Sequence, residues 1–165
     1  MNIIEHTINW YKGEIFEGTL IGLFGAILLV ISIVFWRLGK TPNAQAMVIP
    51  LLVVGLLLSL TGGFMANSNA NKIKTLTESK IENHQEFLQV EKKRVEDFQP
   101  LYTYTKIGAA LFFTMAIILF FVTKDKHWQA VAIALIILGA SGLVIDYFSK
   151  ERADVYYNQL LIQVK

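Results

Sequence analysis

The stretch LIGLFGAILLVISIVF, Leu20–Phe35, decides what kind of chain this is, because Ser32 is its only polar side chain. A helix buried in a water-soluble bundle still shows polar residues on one face about every turn. This stretch has no such face. Followed outward to its limits, the run extends over Gly18–Trp36. That is enough to cross a bilayer core, which takes roughly 17–25 apolar residues at ~1.5 Å each.

Three further runs repeat the pattern: Ala44–Ala66, Ile107–Thr123 and Trp128–Phe148. The chain has 165 residues, with 15 basic and 13 acidic side chains, and Asp146 alone among these lies inside the four runs. The composition of 54% hydrophobic and 17% charged residues therefore conceals an alternation. Charge-free segments are interleaved with highly charged ones. The reading is an all-α membrane protein with four transmembrane helices. Cysteine is absent and the net charge is +2. A disulfide-stapled domain, a zinc finger and a thiol-redox enzyme are excluded, and nothing suggests a nucleic-acid partner.

The leader Met1–Glu17 sets Lys12 against Glu5, Glu14 and Glu17, so it lacks the basic region of a signal peptide. Ala44-Gln45-Ala46 imitates a cleavage site, but Arg37, Lys40 and Pro42 separate it from an apolar run too long for a signal. The first helix is expected to stay. With no cysteine to acylate and Asn at position 2, no lipid anchor is expected.

A shift of 84 residues brings the halves into register. Lys40, Gln45, Ala46, Ile49, Leu51, Gly55 and Phe64 fall on Lys124, Gln129, Ala130, Ile133, Leu135, Gly139 and Phe148. The expectation is two copies of one helix hairpin in the same orientation, related by an axis along the membrane normal. The hairpins would cover 18–66 and 107–148. Pro50 is the only proline within a span and sits where it could kink the second helix.

An even number of spans puts both termini on one side with the 67–106 segment. That side holds eleven Lys and Arg residues; the other holds Arg37, Lys40, Lys124 and Lys126. The asymmetry predicts cytoplasmic termini, in a bacterial inner membrane. Trp10, Tyr11, Trp36, Trp128 and Tyr147 lie at interface depths.

Outside the spans, 1–17 reads as an amphipathic helix lying on the membrane, with Ile3, Ile4, Ile8, Tyr11, Ile15 and Phe16 at helical spacing. The segment 67–106 reads as an amphipathic helical segment between the second and third spans. Its heptad places Ile81, Leu88, Val95 and Tyr102 seven apart, with His84, Glu91 and Phe98 three later. Glu91 breaks the pattern by occupying a core position. A hairpin break is expected near Asn67–Asn71 or Thr75–Ser79, and Pro100 should end the helix before the third span. The tail 149–165 reads as a further short helix.

Asp146 is the leading candidate for a binding residue, since an ionisable group within a span is a functional hypothesis by default. It shares a face with Ala132, Gly139 and Gly142, where a neighbouring helix would pack. Similar small-residue faces are Gly55, Ser59, Gly62 and Ala66 in the second span, and Gly18, Gly22, Gly25 and Ser32 in the first. Gln45 and Gln129 are matched polar residues that either hydrogen-bond at the interface or line a pore mouth. His84 stands between Glu82 and Glu86 but points away from them on a helix, so no metal is expected. No cofactor is expected either, and no catalytic set can be placed.

The sequence thus predicts a non-catalytic membrane protein acting by helix packing, as a homo-oligomer or as a subunit of a membrane complex. A small channel or transporter with a path at the repeat interface is the alternative, and an immunity-type protein a third.

Overall fold

The computed structural model describes residues 3–78 and 84–164. They form four helices: α1 (Ile3–Leu38), α2 (Pro42–Glu78), α3 (His84–Val122) and α4 (Lys126–Val164). Each contains a segment long and apolar enough to cross a membrane. Four such helices fit an integral membrane protein.

The helices have 36, 37, 39 and 39 residues. At ~1.5 Å per residue they are about 54–58 Å long, well beyond the ~30 Å hydrocarbon core. Loops 39–41 and 123–125 are too short to accommodate the excess on their side. It projects on the side of the termini, as a polar extension of the same four helices.

This continuity revises the expected segmentation. Residues 3–17 are not a helix lying on the membrane; they are the first turns of α1. Ile3, Thr7, Trp10, Glu14, Glu17, Ile21, Gly25, Leu28 and Ser32 are all buried. They recur every three or four residues, so one buried stripe runs from the polar part into the apolar part, with a shift of phase where Glu17, Ile21 and Gly25 follow one another by fours. The tail likewise continues α4, burying Ala153, Tyr156 and Leu160. Asn67–Asn71 lies within α2, and Pro100 lies within α3 rather than at its end. Proline removes one backbone donor, but the heptad carries on past it: Leu88, Val95, Tyr102, Ala109 and Ala116 are each buried, seven apart. The seam, not the proline, decides where α3 goes. The α2–α3 break and the heptad position Ile81 fall outside the described residues, as does Glu82 beside His84.

α4 packs against the other three helices, and α3 approaches only α4 closely along the backbone. Two cores result. One, within the spans, joins Ile21, Leu28, Leu51, Val54, Leu58 and Ala134. The other, in the extension, joins Ile3, Trp10, Tyr11, Leu88, Val95, Tyr156 and Leu160. Trp10 and Tyr11 belong to this second core rather than to an interfacial belt; Trp36, Trp128 and Tyr147 do face outward.

The small-residue faces of the first two spans meet each other. A Cβ on Gly62 would fall on the backbone of Gly22 and Gly18, and one on Gly25 would fall on the Ser59 backbone. Close approach lets Ser32 Oγ donate to Val48 O at 2.8 Å and Ser59 Oγ to Gly22 O at 3.4 Å. The second hairpin is built differently: Gly139 faces the Phe113 ring and Gly142 faces the Thr105 methyl.

Candidate functional site

The most elaborate chemistry lies in the extension, where three carboxylates are buried: Glu14, Glu17 and Glu91. Glu14 and Glu17 lie on the buried stripe of α1 that also carries Ile21 and Leu28. Arg152 of α4 reaches both. Its Nη2 donates to Glu14 Oε1 at 2.9 Å and also to Glu17 Oε2. Gly13 makes this possible, because a Cβ there would stand 2.8 Å from Arg152 Cδ and 2.9 Å from Nε. Ser149 Oγ donates to Glu14 Oε1 at 3.4 Å and contacts Tyr102 Oη at 3.1 Å. The chain Tyr102–Ser149–Glu14–Arg152–Glu17 thus ties α3, α4 and α1 together.

The second cluster is centred on Glu91, the residue that breaks the heptad. Arg94, one turn on, donates to it through Nε at 3.2 Å and through Nη2. Tyr156 Oη donates to Glu91 Oε2 at 2.9 Å and contacts Thr7 Oγ1 at 2.7 Å, while Thr7 lies 2.9 Å from Ile3 O. With the Tyr156 proton given to Glu91, Thr7 Oγ1 donates to Ile3 O. The Arg94 guanidinium lies 4.4 Å from the Trp10 ring centroid, and the Trp10 ring is nearly parallel to those of both Phe98 and Tyr156. Glu91 is therefore a core residue because its charge is met inside the core.

Paired buried charges of this kind hold a register: each alternative packing leaves a charge unmatched. Loose ends remain at Glu17 Oε1, Arg152 Nε and Trp10 Nε1, which are buried without hydrogen-bond partners. Burial pushes the Tyr11 and Tyr102 phenols up to about 12, and pushes Tyr156 up as well. Desolvation disfavours their phenolates. For Arg94, desolvation is outweighed by the hydrogen bond and charge of Glu91, and the net direction is upward.

The sign for the tyrosines is definite. Below pH 10 both folded and unfolded states keep the proton, and stability is unaffected. Between pH 10 and about 12 only the unfolded chain releases it, so stability falls. Tyr11 and Tyr102 both contribute to that loss. Phenolate absorbance should show these tyrosines titrating only as the extension unfolds. Simple titration near pH 10 with the fold intact would contradict the burial.

The residues singled out from sequence lie elsewhere. Gln45 Nε2 donates to Gly39 O and Gln129 Nε2 to Thr123 O, both at 3.4 Å. Each ties the start of one helix to the loop that precedes it. Thr41 Oγ1 accepts from Ala44 N at 3.2 Å, and Asp125 Oδ1 from His127 N at 2.8 Å and Trp128 N at 3.4 Å. These are N-caps. Asp146 stands near the middle of α4, where its apolar run ends, 17 residues or about 25 Å from Gln129. It faces Thr105 and Lys106 of α3, and its Oδ2 is buried without a hydrogen-bond partner. The structure does not bring Asp146 together with either glutamine.

The extension network was missed from sequence. Its signals were there: two acids three apart on the α1 seam, and one acid in a heptad core. Among the described residues, no three His, Asp or Glu side chains cluster as a metal site would require. The fold is an all-helical chain whose four long apolar helices fit an integral membrane protein, with a buried ionic network at the polar end of the bundle. Compared with family models, curated proteins and solved structures, the chain matches none.

Proposed function

We propose that this protein is a non-catalytic membrane protein acting by helix packing, as a homo-oligomer or as a subunit of a larger membrane complex. The observation that carries the reading is the outward face of α3. Only 11% of its most apolar window is buried inside the chain, against 28% for α1 and α2. Lipid explains exposure within the bilayer. It does not explain Val90 and Leu101, which are 59% and 58% exposed in the polar extension. Leu101, Tyr104, Leu111 and Ile118 continue one another along the helix, so a partner helix laid along α3 would cover all of them.

The small-residue faces of α1 and α2 offer no support for an oligomer, because they are consumed within the first hairpin. The duplicated-hairpin reading has separate support. α1 and α3 end 84 residues apart, α2 and α4 begin 84 residues apart, and the two loops use equivalent caps. The excess of Lys and Arg on the extension side supports placing that side, with both termini, in the cytoplasm of a bacterial cell.

The absence of cysteine makes the test clean. Single cysteines at Leu101, Tyr104 and Leu111 are expected to form disulfide-linked or partner-linked species in native membranes. Cysteines at Ile49 and Leu60, on exposed positions of α2, are expected not to. A monomer with no linkage through α3 would overturn the reading.

A further inference from the structure

A cleft of about 550 Å³ opens between α3 and α4 where the spans meet the extension. Its polar wall is formed by Lys106, Asp146, Lys150, Glu151 and Asp154, with Tyr102 beside them. Lys106 lies one residue outside the third apolar run, and Asp146 and Lys150 flank the end of the fourth. The cleft therefore sits at headgroup depth.

Its charges are unusually free. Among the described residues, none of these five charged groups has an opposite charge within 4.0 Å. Asp146 is half-buried: its Oδ2 is turned away from solvent, while the residue itself lines the cleft beside Thr105 and Lys106. Elsewhere this protein pairs its desolvated carboxylates with arginine. Asp146 instead has Thr105 and Lys106 of α3 as its neighbours, with no cation within 4.0 Å among the described residues, so its charge is only partly met within the chain and a further cation in the cleft would be favoured. The lysines make the complementary demand for an anion.

We propose that this cleft binds the headgroup of a zwitterionic phospholipid bearing a primary ammonium, with its phosphate diester between Lys106 and Lys150 and its ammonium toward Asp146 and Asp154. Three carboxylates against two lysines disfavour a purely anionic headgroup. A primary ammonium supplies N–H donors that a quaternary one lacks. The hydrocarbon tails would run down the lipid-facing surface of α3 and α4, past Leu143, which also lines the cleft. This inference is independent of the oligomer reading, because it concerns the α3–α4 cleft within one chain.

Native mass spectrometry from nanodiscs holding equal parts of phosphatidylethanolamine, phosphatidylcholine and phosphatidylglycerol would test it. The expected result is one phosphatidylethanolamine retained per chain, about tenfold over the other two, the effect of one or two charge-assisted hydrogen bonds. Asp146→Asn should erase the preference over phosphatidylglycerol, and Lys106→Gln with Lys150→Gln should lower retention of both. These groups are outside the Glu14–Arg152 and Glu91–Arg94 clusters, and unchanged thermal unfolding of the variants would confirm intact folding. Asp154→Asn, fully on the extension, provides a second variant should Asp146→Asn misfold. Equal retention of the three lipids by the wild-type chain would overturn the proposal. So would a preference that survives both sets of substitutions, or displacement of bound lipid by inorganic phosphate alone.

Discussion

Gly62→Leu is expected to abolish the native packing of the first hairpin, whereas the neighbouring Gly63→Leu should leave it intact. The two glycines are adjacent in sequence and opposite in environment. A Cβ on Gly62 would overlap the backbone of Gly22 and Gly18, with Gly22 Cα at 2.8 Å, and backbone cannot step aside as a side chain can. A Cβ on Gly63 meets nothing within 4 Å. Overpacking of a tight contact costs about 1–3 kcal/mol when neighbours can yield, and more when they cannot. Here α1 and α2 would have to separate, releasing Ser32 from Val48 O and Ser59 from Gly22 O. Even Gly62→Ala should cost about 2 kcal/mol or more. Gly63→Ala should be neutral or slightly stabilising, by up to about 1 kcal/mol. Equilibrium unfolding in mixed micelles, followed by helix signal and Trp fluorescence, would measure both. Equal effects at 62 and 63 would show that the hairpin does not use this seam.

Arg152→Met is expected to be the most damaging single change in the extension. It leaves Glu14 and Glu17, each 7% exposed, buried together without a cation. Breaking a buried pair from one side costs about 3–5 kcal/mol, because the remaining charge is uncompensated. Here two charges remain, and they repel each other. The damage should therefore be reversible by removing them: Glu14→Gln and Glu17→Gln on the Arg152→Met background should recover most of the stability. A double-mutant cycle read by thermal unfolding would show strong coupling among the three sites. If the triple variant is no more stable than Arg152→Met, the pair does not operate as a charge lock. Arg152→Lys should be intermediate, since it keeps the charge but its shorter side chain stops short of the position from which Nη2 meets both carboxylates.

Much of the fold was legible because the bilayer limits the choices. An apolar run such as Leu20–Phe35 must satisfy its own backbone hydrogen bonds, and the helix does so without help. Four such runs, their lengths and their short loops could be read directly. The α3 heptad was also visible from Leu88 to Tyr102, and it proves to extend through Ala109 and Ala116. What misled was punctuation. Pro100 and the Asn67–Asn71 cluster are breakers by local propensity, but a continuous seam on the same helix outweighs a local cost of this kind. The polar leader looked like a surface helix because its apolar residues share a face. Only the arrival of α3 and α4 on that face makes it a core.

The site was less legible, for a physical reason. Glu14 and Arg152 are separated by most of the chain, and no spacing rule connects them. Glu91 was correctly marked as anomalous in a heptad core. Its partners, Arg94 and Tyr156, include one residue on the next helix that only packing selects. Asp146, Gln45 and Gln129 stood out because they are polar in apolar surroundings. The structure separates them, assigning the glutamines to loop contacts and the aspartate to the α3–α4 cleft.

The sequence by itself determined that the chain is helical and which four stretches are apolar enough to enter a bilayer, since these depend on local transfer energies; that the polar segments continue those four helices was decided by packing. Tertiary structure alone decided which faces are spent inside the chain. The glycine faces of α1 and α2 close on each other because backbones without Cβ atoms can approach that far. The outer face of α3 stays open because α4 can cover only one of its sides. It likewise decided that three buried carboxylates are tolerable: Arg152 arrives from α4 to match Glu14 and Glu17, and Tyr156 of α4 joins the local Arg94 at Glu91.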